Sequence, residues 1–243
     1  MVYRELDATH IAATLERLER RIHERFPDSG LGRVARELSA FLSETRERVE
    51  RMRRPNWFLR AGVALLIVIA AAILVAEIVQ LRPRLELTGH LDPTQLLQTA
   101  ESALQNLVFV GIALFFLFTL ETRLKRRESL AALHNLRSVA HVIDMHQLTK
   151  DPELVLHGPE APTASSPKRA MTGFELARYL DYCSELLACT SKLAALHAQY
   201  LNDPAVLSAV NEVETLVGHL SMKVWQKRMI LDTAIAPVVA TTS

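Results

Sequence analysis

The chain has 243 residues, 28 lysines and arginines against 27 aspartates and glutamates, a formal net charge of +1, and 49% hydrophobic residues. The arginines of residues 17–54 are interleaved with glutamates, which describes a solvated, salt-bridged surface and excludes a nucleic-acid-binding stripe. The two cysteines, Cys183 and Cys189, fall on different faces of one expected helix, which excludes a disulfide between them and a shared zinc site.

Residues 1–57 read as a helical hairpin. Asp7 or Thr9 caps a first helix in which Ile11, Leu15, Leu18, Ile22 and Phe26 recur at helical spacing. Pro27-Asp28-Ser29-Gly30 is a turn. A second helix carries Leu31, Val34, Leu38, Phe41 and Leu42 toward Met52, and Pro55 marks its junction with the first apolar run.

Two apolar runs come next, Phe58–Leu81 and Ala103–Leu120. A spanning helix needs roughly 20 apolar residues, so residues 58–81 and 103–122 are expected to cross a lipid bilayer, with an exterior loop at 82–102. Ala61–Ala76 carries no polar side chain. Trp57 sits where aromatics mark headgroup depth, Arg60 is placed to snorkel, and Glu77 is a boundary residue near the other end. Gly62 and Ala70–Ala72 give the first span small residues that admit a close helix neighbour. A long charged region precedes the first span, so it does not read as a cleaved signal peptide. Arg46, Arg48, Arg51, Arg53 and Arg54 precede the spans, and Arg123, Lys125, Arg126 and Arg127 come after them. The loop offers only Arg82 and Arg84, so both termini are expected to be cytoplasmic, in a multi-pass protein of a bacterial-type inner membrane.

Beyond the second span, residues 112–151 contain neither Gly nor Pro. A helix from about Ser102 to Lys150 extends roughly 73 Å, of which the bilayer core takes about 30 Å. Residues 123–150 therefore project inward beside the helix of residues 31–54. A Pro-rich linker occupies 151–171, with Pro152, Pro159, Pro162 and Pro167. Residues 172–231 form a second hairpin. Thr172-x-x-Glu175 is a capping box, and Leu176, Leu180, Cys183, Leu187, Thr190, Leu193 and Tyr200 share the helix behind it. Asp203 caps the last helix, with Pro204 as its first residue. Val206, Val210, Val213, Val217, Leu220 and Val224 then recur at alternating spacings of four and three, a coiled-coil seam suited to self-association. Residues 232–243 read as a frayed tail. The fold class is all-α: a two-span transmembrane helical hairpin with a cytoplasmic helical bundle or coiled coil.

The most unusual stretch is His134-Asn-Leu-Arg-Ser-Val-Ala-His141-Val-Ile-Asp144-Met-His146. His134, Ser138, His141 and Met145 fall on one stripe, flanked by Arg137 and Asp144, each within helical reach of His141. A buried hydrogen-bonded network inside the bundle is the leading expectation. Histidines seven residues apart on a helix lie about 10 Å apart along its axis and cannot share an ion. His141 and His146 point to different faces, and only His141 with Asp144 has chelating geometry, so no metal site and no cofactor is expected. His134-x-Leu136-Arg137-Ser138-x-Ala140 resembles the phosphoacceptor segment of histidine phosphotransfer domains, a His-x-Leu-Lys-Gly-x-Ala pattern on a helical bundle. The resemblance implies phosphorylation at His134, with Arg137 steadying the phosphoryl group and Ser138 in place of the family's glycine. An Arg-x(4–6)-His pattern similar to that of helical ribonucleases occurs at Arg127/His134, Arg17/His23 and Arg4/His10, which a chain so rich in arginine produces readily. There is no Gly-rich phosphate loop, no Ser-His-Asp context and no His-Glu-x-x-His.

These features favour a non-enzymatic membrane protein acting through its bundle, by self-assembly as a homo-oligomer or as a scaffold for another membrane or cytoplasmic protein. An oligomeric pore with Glu77 or the arginine clusters setting selectivity, and a two-span signalling protein using His134, are the alternatives.

Overall fold

The computed structural model describes residues 6–53, 57–88, 93–152 and 171–240. Every regular element among them is helical: α1 (Ala8–Arg25), α2 (Gly30–Arg53), α3 (Trp57–Thr88), α4 (Pro93–Leu148), α5 (Gly173–Tyr200) and α6 (Pro204–Ala240). They fall into two units. One comprises Met1–Arg53 with Arg126–Ser243, the other Arg54–Lys125.

The first unit is a helical bundle, and local chemistry sets its helix starts. Asp7 caps α1, its carboxylate accepting from the Thr9 N–H at 2.7 Å. At the far end of α1 the chain turns through Asp28, whose φ of 61° is left-handed, a conformation Asp tolerates better than most residues. Ser29 Oγ then accepts from the Gly32 N–H at 3.1 Å, which satisfies a donor at the start of α2. Thr172 and Glu175 form the full reciprocal capping box at α5. Asp203 Oδ1 accepts from the N–H groups of Ala205 and Val206, 3.0 and 3.4 Å away, at the start of α6.

One apolar core joins all five helical segments of this unit. α1 contributes Ile11, Leu15, Leu18 and Ile22, and α2 contributes Leu31, Val34 and Leu38. The end of α4 adds Leu133, Leu136, Ala140 and Ile143. α5 is buried almost all round, through Leu176, Tyr179, Leu180, Tyr182, Cys183, Leu186, Leu187 and Leu193, the pattern of a central helix. It packs against α6, α1 and α2. Phe26 at the end of α1 meets Tyr179 and Tyr182 edge-on, with ring centroids 5.4 and 6.2 Å away, and Arg21 makes a bidentate pair with Glu185 at 2.8 and 3.2 Å. α4 and α6 run in the same direction, because their ties occur in the same order along both. Arg126 binds Asp203, Arg137 reaches Glu212, and Lys227 Nζ donates to the carbonyls of Gln147 and Lys150 at the end of α4.

The second unit contains α3 and the first part of α4. Its large apolar side chains face outward: Val68 and Val75 on α3, and Leu107, Phe109, Phe115 and Phe116 on α4, are all more than half exposed. Among the described residues one helix is long and apolar enough to cross a membrane, the stretch Ala100–Leu148 within α4, none of whose most apolar window is buried. On α3 the apolar stretch is shorter, Ala61–Ile73.

Three expectations about boundaries are corrected. Most of the expected exterior loop at 82–102 is helical: α3 continues to Thr88 and α4 starts at Pro93, leaving only residues 89–92, which lie outside the described residues. Proline at the first helical position forfeits no hydrogen bond, and from Thr94 to Ala103 neither Gly nor Pro interrupts the helix. α4 thus begins well before Ser102. The tail expected to fray from residue 232 is instead a continuation of α6 as far as Ala240. Residues 153–170, most of the proline-rich linker, lie outside the described residues.

Candidate functional site

The polar stripe on α4 faces outward. The helix buries Ala132, Leu133, Leu136, Ala140 and Ile143, and 3.6 residues per turn then places His134, Ser138 and His141 on the opposite side. All three are exposed, as is Arg137. The expected buried network is therefore not formed. Ser138 Oγ donates to the backbone carbonyl of His134 at 3.2 Å. Arg137 turns away from His141 to Glu212 on α6, at 3.5 Å. Asp144 accepts from Gln147 Nε2 at 2.6 Å.

His146 occupies a different environment. It is half-buried against Gly30, the first residue of α2, where a Cβ would collide with the imidazole ring. Burial lowers its pKa from the ordinary value of 6.5, and the charges of Arg33 and Lys150 lower it further. The neutral ring suits a contact with a helix N-terminus, whose free N–H groups disfavour a cation. Gly30 therefore brings α2 close to the end of α4 through an uncharged histidine. Among the described residues no group of three or more His, Cys, Asp or Glu side chains is placed to hold a metal ion.

The six seam residues of α6 are all buried in the chain's own core, from Val206 at 0% exposure to Val217 at 5%. In this structure the same chain covers that face, so it is not free for a second copy. Of the expected interface residues, Trp57 is 77% exposed at the start of α3; the side chains of Arg60 and Glu77 lie outside the described residues. Both cysteines are free and buried. Burial pushes the Cys183 thiol up to about 12 and the Cys189 thiol up to about 11.

Two features are not anticipated by the sequence patterns. An open apolar groove of about 570 Å³ lies between α3 and α4 in the second unit, with Ala70, Ala71 and Ile73 on one side and Asn106, Phe109 and Val110 on the other. The small residues of α3 were its only signal. The other is the outer face of α6, where Met222 and Trp225 are more than half exposed and Met229 is 44% exposed.

The fold thus defines a protein that is all-helical among its described residues, one of those helices being long and apolar enough to cross a membrane. No family model, curated protein or solved structure matches the chain.

Proposed function

We propose that this chain is a two-span membrane protein whose helical bundle is a non-enzymatic scaffold on the cytoplasmic side. The observation that carries the reading is the discontinuity of the bundle. Its core is built from chain on both sides of residues 54–125. A segment that enters a bilayer and returns its two flanks to one core must cross an even number of times. α4 carries a helix long and apolar enough to cross, and the return is assigned to the apolar run Phe58–Leu81 on α3, of which Ala61–Ile73 is the most apolar part and is by itself too short to span. The arginine and lysine clusters at both flanks favour the cytoplasmic side for the bundle. The scaffold role rests on how the bundle is filled: large aliphatic side chains dominate its interior, and His134, Arg137, Ser138 and His141 of α4 look outward.

The test combines extraction and accessibility. Alkaline carbonate should leave the chain in the membrane pellet, and protease outside intact cells should cut neither α1 nor α6. Release into the supernatant, or cleavage of α1 with α6 spared, refutes the two-span arrangement. A second reading, signalling through His134, is favoured by one observation: the His134 ring faces solvent, where a partner could reach it. It predicts an acid-labile phosphoryl label on the wild-type chain that His134→Ala abolishes, and an unlabelled wild-type chain removes it.

A further inference from the structure

α6 carries apolar residues on two faces. The core face carries the valine seam. The opposite face carries Asn211, Thr215, Gly218, Met222, Trp225 and Met229, separated alternately by four and three residues and all exposed. Asn211, Gly218 and Trp225 recur every seven residues, as do Thr215, Met222 and Met229, which keeps both rows on one stripe over the length of a coiled-coil contact. A surface helix of a self-sufficient bundle ordinarily turns charged residues outward. Here that position holds Trp225, 54% exposed, between two methionines.

Gly218 adds a separate observation. It lies within a 37-residue helix, where glycine is disfavoured, and an added Cβ would meet nothing within 4 Å. Its missing side chain therefore relieves no crowding within its own chain. It does allow another backbone to come close at that point.

The flanks of the stripe suit a second copy of the chain. Glu214 and Ser221 border it on one side, His219 and Gln226 on the other. In two parallel, in-register copies, each residue of the first flank meets the residue five positions further on in the other copy. Glu214 then faces His219 of the second copy, and Ser221 faces Gln226. Both pairs are compatible by hydrogen bonding, and neither sets like charges together. Asn211 meets its own counterpart, an amide pair able to hydrogen-bond across the seam.

We propose that the outer face of α6 is the seam of a parallel homodimer, with close approach at Gly218 and an apolar contact made by Met222, Trp225 and Met229. This deepens the scaffold reading by naming the partner as a second copy of the chain. Its test does not depend on how many times the chain crosses the bilayer.

The experiment uses the full chain in native membranes. Gly218→Cys and, separately, Met222→Cys are oxidised with copper phenanthroline, with wild type and Lys192→Cys, an exposed position on α5, as controls. Both seam variants should shift to a disulfide-linked band at twice the chain mass. Wild type, whose cysteines are buried, and Lys192→Cys should not. Adding Trp225→Glu or Thr215→Arg to Gly218→Cys should abolish the band with helicity unchanged. Monomer alone from both seam variants overturns the proposal. So does equal linkage through Lys192→Cys, a linked band at any mass other than twice the chain, or a band that survives both charge substitutions. A failure here alongside carbonate resistance removes the dimer and leaves the membrane reading standing.

Discussion

Leu136→Ala tests whether the last third of α4 is part of the bundle or merely lies beside it. Leu136 is fully buried in the core shared by the five helical segments. The substitution removes three carbons, worth about 2.4 kcal/mol at ~0.8 kcal/mol per buried methylene. The cavity left behind brings the expected loss to about 3–4 kcal/mol. For a unit of this size, that is a fall in melting temperature of roughly 6–16 °C. Met145→Ala on the same helix is the control. Met145 is 64% exposed, so its truncation should cost less than ~0.5 kcal/mol. Thermal unfolding of the detergent-solubilised chain, followed by circular dichroism, reads both. If the two substitutions cost the same, α4 does not pack as described and the even-crossing argument loses its footing.

Three further outcomes rest on individual contacts. Gly30→Ala should destabilise the bundle by about 1–3 kcal/mol through the collision with His146, and His146→Ala should recover most of that loss in a double-mutant cycle. The His146 contact should also make stability depend on pH. Its pKa is lowered in the fold, so below about pH 6.5 the unfolded chain binds a proton that the folded chain resists, and stability falls as pH drops through that value. The wild-type melting temperature should therefore decline more steeply between pH 7 and 5 than that of His146→Gln. Finally, Cys183 and Cys189, held as neutral thiols at about 12 and 11, should resist alkylation at pH 8 until denaturant is added; rapid labelling of the native chain would contradict their burial.

Caps were the most legible part of the sequence. Asp7, Thr172 with Glu175, and Asp203 with Pro204 each start a helix by contacts within a few residues, so sequence alone fixes them. Buried faces were legible too, since Ile11 to Ile22 and Val206 to Val224 carry their spacing openly. What covers a face was not. The valine seam has the period of a two-chain contact, and α5, buried almost all round, takes it within the chain. The α4 stripe shows the same limit: His134, Ser138 and His141 share a face, but Leu133, Leu136 and Ile143 decide which way that face points. Helix ends were misplaced wherever hydropathy stood in for backbone chemistry. Apolar residues stop near Leu81, but a polar helix hydrogen-bonds its backbone as well as an apolar one, so α3 runs on to Thr88; α6 likewise continues through the small and aliphatic residues 234–240.

The divided bundle also sets an order of events during synthesis. α1 and α2 leave the ribosome first, with Leu15, Leu18, Ile22 and Leu38 uncovered, and the residues that enclose them arrive with α5 and α6. At about 5–20 residues per second, the intervening chain takes on the order of ten to thirty seconds to emerge. Throughout that delay the amino-terminal hairpin exposes an apolar face that its own chain does not yet cover. A chain arrested before α5 never gains its cover, and aggregation or proteolysis is its expected fate.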